Sequence, residues 1–148
     1  MTVQLALWLS LLGLLTVLSV YESLHDALPD WTLSLACIVY AGALLALATT
    51  PEQLLQGFAA GGAGFAMGLL SQLGRGRLLD SRAPLCVGLV AGWPGILAVG
   101  VGWGLLAGIV ALYFLLTDRA RELPTVSLLP FLTLSALFVF ALRATVLP

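Results

Sequence analysis

Residues Tyr21–Trp31 read YESLHDALPDW, and they break an otherwise uncharged stretch of chain. The 21 residues up to and including Tyr21 contain no Asp, Glu, Lys or Arg, and a second apolar run starts at Trp31. Glu22, His25, Asp26 and Asp30 stand inside the break. Setting carboxylates against the end of a membrane helix carries a desolvation cost, so such groups are functional candidates by default. The other acid that matters is Asp80, in GRGRLLDSR (residues 74–82), between two later apolar runs. We expect these two segments to meet on one side of a membrane and form a two-carboxylate site.

Composition supports a membrane setting. Hydrophobic residues make up 61% of the 148-residue chain and charged residues only 9%, against roughly a quarter charged in a soluble domain. The reading is a single all-α domain over residues 1–148, a polytopic helical bundle with little mass outside the bilayer. The charge-free runs are too long for the alternating strands of a membrane β-barrel. No basic patch points to nucleic acid. Cys37 and Cys86 both lie in apolar runs, without CxxC partners, and read as small buried residues. The first apolar run has no preceding Lys or Arg and no small-residue cleavage site after it, so it is expected to be a retained helix.

Charge-free windows predict six transmembrane helices at about 3–20, 31–49, 54–73, 83–91, 95–116 and 126–144. The fourth is short, because the 35-residue run Ala83–Thr117 is divided by Gly92-Trp93-Pro94-Gly95. Arg75, Arg77, Arg82, Arg119 and Arg121 all fall after helices 3 and 5, whereas Arg143 lies near an opposite end. The positive-inside rule then sets the loops after helices 1, 3 and 5 in the cytoplasm and both termini outside. Those arginines read chiefly as topology setters and contacts for anionic lipid heads. Trp31 and Trp93 read as interface anchors, with Trp8 and Trp103 also available for that role. Glycines four apart, Gly57/Gly61 and Gly64/Gly68, then Gly88/Gly92, then Gly100/Gly104/Gly108, predict close packing of helices 3, 4 and 5.

Two neighbouring carboxylates do not both ionise cheaply: one keeps its proton as an acid while the other acts as base and activates water. Glu22 and Asp80 fit that logic if helices 1 and 4 are neighbours. Asp80 alone also fits a helix cap, and Asp30 is expected to cap helix 2. Asp26 is an alternative acid near Glu22, and His25 either tunes the pair or is simply solvated.

Tyr21–Leu33, YESLHDALPDWTL, resembles the first signature of the type IV prepilin leader peptidases, membrane aspartic peptidases of the GxGD type. That signature reads like D-x6-P-[DN]-x-L-T. Glu22 stands seven residues before Pro29, and Pro29 and Asp30 occupy the Pro-Asp/Asn turn. Arg77–Arg82, RLLDSR, stands where the family has GxGDxK, with Asp80 on the second catalytic Asp and Arg82 on the Lys. Arg77 and Leu79 replace the two glycines. Gly92–Gly95 and Leu123–Leu132 resemble the family's later turn and its Pro-rich entry to the last helix, so the resemblance spans about residues 5–145.

The resemblance implies a membrane aspartic endopeptidase of the bacterial inner membrane. It would cut the leader of a prepilin or pseudopilin at the cytoplasmic face. Glu22 and Asp80 would be its catalytic pair, with Arg82, Asp30, Pro29 and His25 in support. It implies no metal and no cofactor. The paired CxxC motifs of the longer, methylating members are not found in this sequence, so peptidase activity without methyl transfer is expected. The implied partners are the lipid bilayer, the substrate helix and pilus or secretion components. The alternative reading is an inactive relative serving as an assembly scaffold. A small transporter or channel subunit is a third reading, and it calls for a mid-helix charge that the sequence does not supply.

Overall fold

A computed structural model of the chain describes residues 2–25, 29–73, 80–117 and 127–146. All regular structure among them is helical: α1 (Thr2–His25), α2 (Asp30–Leu47), α3 (Pro51–Leu73), α4 (Arg82–Leu116) and α5 (Leu129–Val146). Three helices are long and apolar enough to cross a membrane, Val3–His25, Pro51–Gln72 and Arg82–Leu116, and the other two are shorter and apolar. Large apolar side chains such as Val17, Ile38, Leu55, Ile109 and Phe138 point outward and are mostly exposed. In water such a surface would drive aggregation; facing lipid it carries no such cost.

Several expected boundaries move. α1 runs on through His25, so Glu22 and His25 are helical residues and not loop residues. Pro51 opens α3, at a position where its missing N–H is not needed. Thr50 Oγ1 accepts the Gln53 N–H at 3.3 Å, and Gln53 Oε1 accepts the Thr49 N–H at 3.0 Å. These side chains satisfy backbone donors at the α2–α3 junction. Asp30 was expected to cap α2, but Pro29 holds the cap position and Asp30 is the first helical residue.

The expected division at Gly92–Gly95 is present as a sharp break. The expected fourth and fifth helices are joined into one continuous element, 82–116, that is broken by non-helical backbone at Gly92 and Trp93. Gly92 sits at φ 62°, in the left-handed region open mainly to glycine. Trp93 is extended (φ −94°, ψ 135°) and the Trp93–Pro94 peptide is cis. The two arms, 82–91 and 94–116, correspond to the fourth and fifth segments read from sequence.

Contacts show that the second arm doubles back. Along α3, Gly68 lies against Ser81, Gly64 against Pro84 and Gly61 against Leu89, so α3 and the first arm run antiparallel. Gly100 of the second arm lies against Met67. A straight continuation would carry residue 100 past the far end of α3, not back to Met67. α5 runs antiparallel to the second arm, with Ser135 Oγ donating to the Val99 carbonyl at 2.7 Å and Arg143 lying against Gly95. It is also antiparallel to α1, where Ser19 pairs with Thr133 (3.1 Å) and Trp8 stacks near Phe140 (5.7 Å). Hydroxyl bonds of this kind join helices where no water competes for them.

The glycine expectation is met in part. A methyl group on Gly64 would lie 2.1 Å from the Pro84 carbonyl oxygen, and one on Gly88 would lie 2.2 Å from that of Ala60. Backbone touches backbone there, and only glycine fits. Gly104 and Gly108 have nothing within 4 Å of such a methyl, so they do not extend the tight seam.

Candidate functional site

The antiparallel order brings six chain segments to one end of the bundle. They are the C-terminal ends of α1, α3 and the 94–116 arm, and the N-terminal ends of α2, the 82–91 arm and α5. Glu22 and Asp80 are both at this end. Each sits at a helix terminus, where the apolar run stops and the backbone leaves polar groups free.

Asp80 stands two residues before the start of α4, with Ser81 at the cap position between them. Its Oδ1 accepts the Arg82 backbone N–H at 3.0 Å, which satisfies a first-turn donor. Arg82 also folds its side chain back onto the carboxylate: Nε lies 2.8 and 2.9 Å from the two oxygens, and Nη2 closes a salt bridge with Oδ2. The remaining arm of the guanidinium, Nη1, donates to Ser34 Oγ of α2 at 2.6 Å. One arginine thus ties Asp80, the α4 start and α2 together. Partial burial pushes the Asp80 pKa up, but the hydrogen bonds and charge of Arg82 outweigh it and hold the carboxyl below the ordinary range.

Glu22 is anchored separately. Its Oε2 accepts from Ser127 Oγ at 2.7 Å, and Ser127 Oγ accepts the Leu129 N–H at 3.3 Å. Glu22 therefore joins the end of α1 to the start of α5. Neither carboxylate hydrogen bonds to the other; each has its own partner. His25 stacks on Tyr21, with ring centroids 4.3 Å apart, and its Nδ1 lies 3.3 Å from the Tyr21 carbonyl. It is exposed and forms no hydrogen bond or ion pair with Glu22 or Asp80. Pro29 shapes the α2 entry, where its carbonyl accepts from the Thr32 N–H at 3.1 Å and from Thr32 Oγ1 at 2.7 Å.

Asp26, Arg75, Arg77, Leu79, Arg119 and Arg121 lie outside the described residues, as does the Asp30 side chain. Among the described residues no group of three metal-ligating side chains forms.

The sequence reading missed Ser34, Ser127 and the pairing of the two cysteines. Ser127 had a local signal, a hydroxyl just ahead of an apolar run. Ser34 had none. Cys37 and Cys86, 49 positions apart, bring their sulfurs to 3.3 Å across the α2–α4 seam. Cys37 Sγ also donates to the Arg82 carbonyl at 3.6 Å.

No family model, curated protein or solved structure matches this chain.

Proposed function

We propose that this protein is a membrane aspartic endopeptidase of the bacterial inner membrane, removing the leader of a type IV prepilin or pseudopilin at the cytoplasmic face. The observation that carries the reading is the shared location of Glu22 and Asp80. They come from sequence positions far apart and reach the same end of an apolar bundle. In this reading the two arms of α4 count as separate spans. The chain crosses six times, both termini are outside, and the carboxylate end faces the cytoplasm, as the arginine distribution suggests.

In this reading the two acids share one proton. Asp80, kept ionised by Arg82, takes a proton from water as the water oxygen attacks the scissile carbonyl carbon. Protonated Glu22 gives its proton to the carbonyl oxygen. The C–N bond then breaks as Asp80 passes the proton it took from water to the amine nitrogen and Glu22 takes a proton back from a hydroxyl of the gem-diol, leaving a carboxylic acid, a free amine and both acids in their starting states. The substrate is a helix in the same bilayer, delivered alongside pilus or secretion components. The test is cleavage of a cognate prepilin by purified protein in lipid. Asp80→Asn and Glu22→Gln are each expected to lose on the order of a hundredfold or more. Equal cleavage by all three proteins removes the pair.

One observation favours a second reading. Arg82 occupies both oxygens of Asp80, as a structural clamp would. In that reading the protein is an inactive relative that scaffolds a pilus or secretion assembly. Rescue of an assembly defect by Asp80→Ala, with no leader cleavage by the wild type, selects it.

A further inference from the structure

The end opposite the carboxylates holds a cavity of about 450 Å³. Its origin is the length of the first arm of α4. Residues 82–91 form fewer than three turns, while the neighbouring helices run 18 to 24 residues. The arm stops at Ala91 and the chain turns back, so Leu89–Trp93 make the floor of a hole between the ends of α1, α2, α3 and α5. Val3, Leu7, Leu44 and Leu47 give it apolar walls, and Gln4, Gln53, Gln56 and Arg143 give it a polar side.

Arg143 is half-buried there, and among the described residues no carboxylate lies within ion-pair distance of it. Its guanidinium rests against Gly95, where a methyl group would come within 3.0 Å of Nη2. Gly95 opens the 94–116 arm, whose dipole presents its positive end and does not neutralise the cation. Arg143 also lies in the last turn of α5, a favourable place for a cation. That accounts for its position along α5, but not for an amide-rimmed hole beside it. A cation held beside a largely apolar cavity calls for an anionic partner.

From this we infer that the cavity binds the phosphate headgroup of an anionic phospholipid, with Arg143 on the phosphate, glutamine amides on its oxygens and an acyl chain along the leucine wall. The apolar walls favour a lipid over free phosphate, because a small anion would leave them bare. The site is independent of the carboxylate end, so the inference stands or falls apart from the proposed activity.

The test uses the full chain in neutral detergent. Native mass spectrometry is expected to retain one phosphatidylglycerol per wild-type chain, at least tenfold more strongly than Arg143→Gln, and to retain no dioleoylglycerol. Arg143→Lys should recover part of the binding. A second readout needs no Arg143 variant: phosphatidylglycerol brominated on its acyl chains should quench tryptophan emission, and Trp93→Phe should remove most of that quenching. Equal retention by wild type and Arg143→Gln, or equal retention of dioleoylglycerol, overturns the inference. If inorganic phosphate raises the melting temperature as much as phosphatidylglycerol, the ligand is a free anion and the lipid assignment fails.

Discussion

Glycine does two different things on the two sides of α4. On the 82–91 arm, Gly88 and its α3 counterpart Gly64 let backbones touch, and a methyl group at either would strike a carbonyl oxygen. On the 94–116 arm, Gly104 and Gly108 sit in the same four-residue spacing and meet nothing. The motif looks the same in both places. The difference shows that small-residue spacing creates the possibility of close approach, and that only a partner helix at the right register uses it.

The sharpest way to break this comparison is to fill the tight seam. Gly64→Ala and Gly88→Ala are each expected to destabilise the folded protein by about 3 kcal/mol or more, since the obstruction is backbone and does not rotate away. Denaturant unfolding in mixed micelles reads this directly. Little change in either variant would mean the helices are not in backbone contact.

A smaller effect belongs to the clamp that closes the seam at its carboxylate end. Asp80→Asn is expected to cost about 1 kcal/mol, because the pair with Arg82 is partly exposed. The sign with pH follows from the lowered Asp80 pKa. The contribution is fully present above the ordinary carboxylate value, about 3.9, and is lost as pH falls through the lower folded value. Wild-type stability should therefore converge on that of Asp80→Asn in strong acid, and a constant gap between them across pH 2–7 would exclude the clamp.

On the open arm the expected change reverses sign. Gly104→Ala and Gly108→Ala should stabilise by up to about 1 kcal/mol, as alanine relieves the entropic cost of helical glycine where nothing is in the way. Destabilisation there would show that those glycines meet a partner, such as a second copy of the chain. Smallest of all is the effect of Cys37→Ser on stability, expected at about 1 kcal/mol or less. Its use is as a control. Copper-phenanthroline should join Cys37 to Cys86 within one chain, seen as a loss of two free thiols by maleimide labelling. The single serine variants should keep their remaining thiol. Failure of the native pair to join would place α2 and α4 out of register.

Much of the helical layout was legible because hydropathy is a local property. A run of apolar residues without charge becomes a helix in lipid whatever its neighbours do, since its backbone must satisfy itself. The Gly92–Gly95 break was legible for the same reason: proline and flanking glycines act on their own chain. The ends were less so. Tyr21–His25 looked like loop because Glu22 and His25 are polar, yet the helix carries them as its last turn, with Glu22 held by Ser127. At the site, Asp80 and Arg82 were readable as a pair two residues apart, whereas Ser34 and Ser127 depend on helices the sequence does not place side by side.

Residue order by itself determined long uncharged helical runs with acids kept to the stretches where those runs begin or end, a turn at Gly92–Gly95, and arginine gathered beside some loops and scarce beside others. Tertiary structure alone decided that the 94–116 arm returns along α3, that Cys37 meets Cys86, that Glu22 is tied to α5 and Asp80 to α2, and that a short arm leaves a hole beneath Arg143. The reason is one of range. Solvation acts residue by residue along the chain, while register between helices is set by shape at contacts between residues tens of positions apart, and no local pattern encodes which small residue will find a partner.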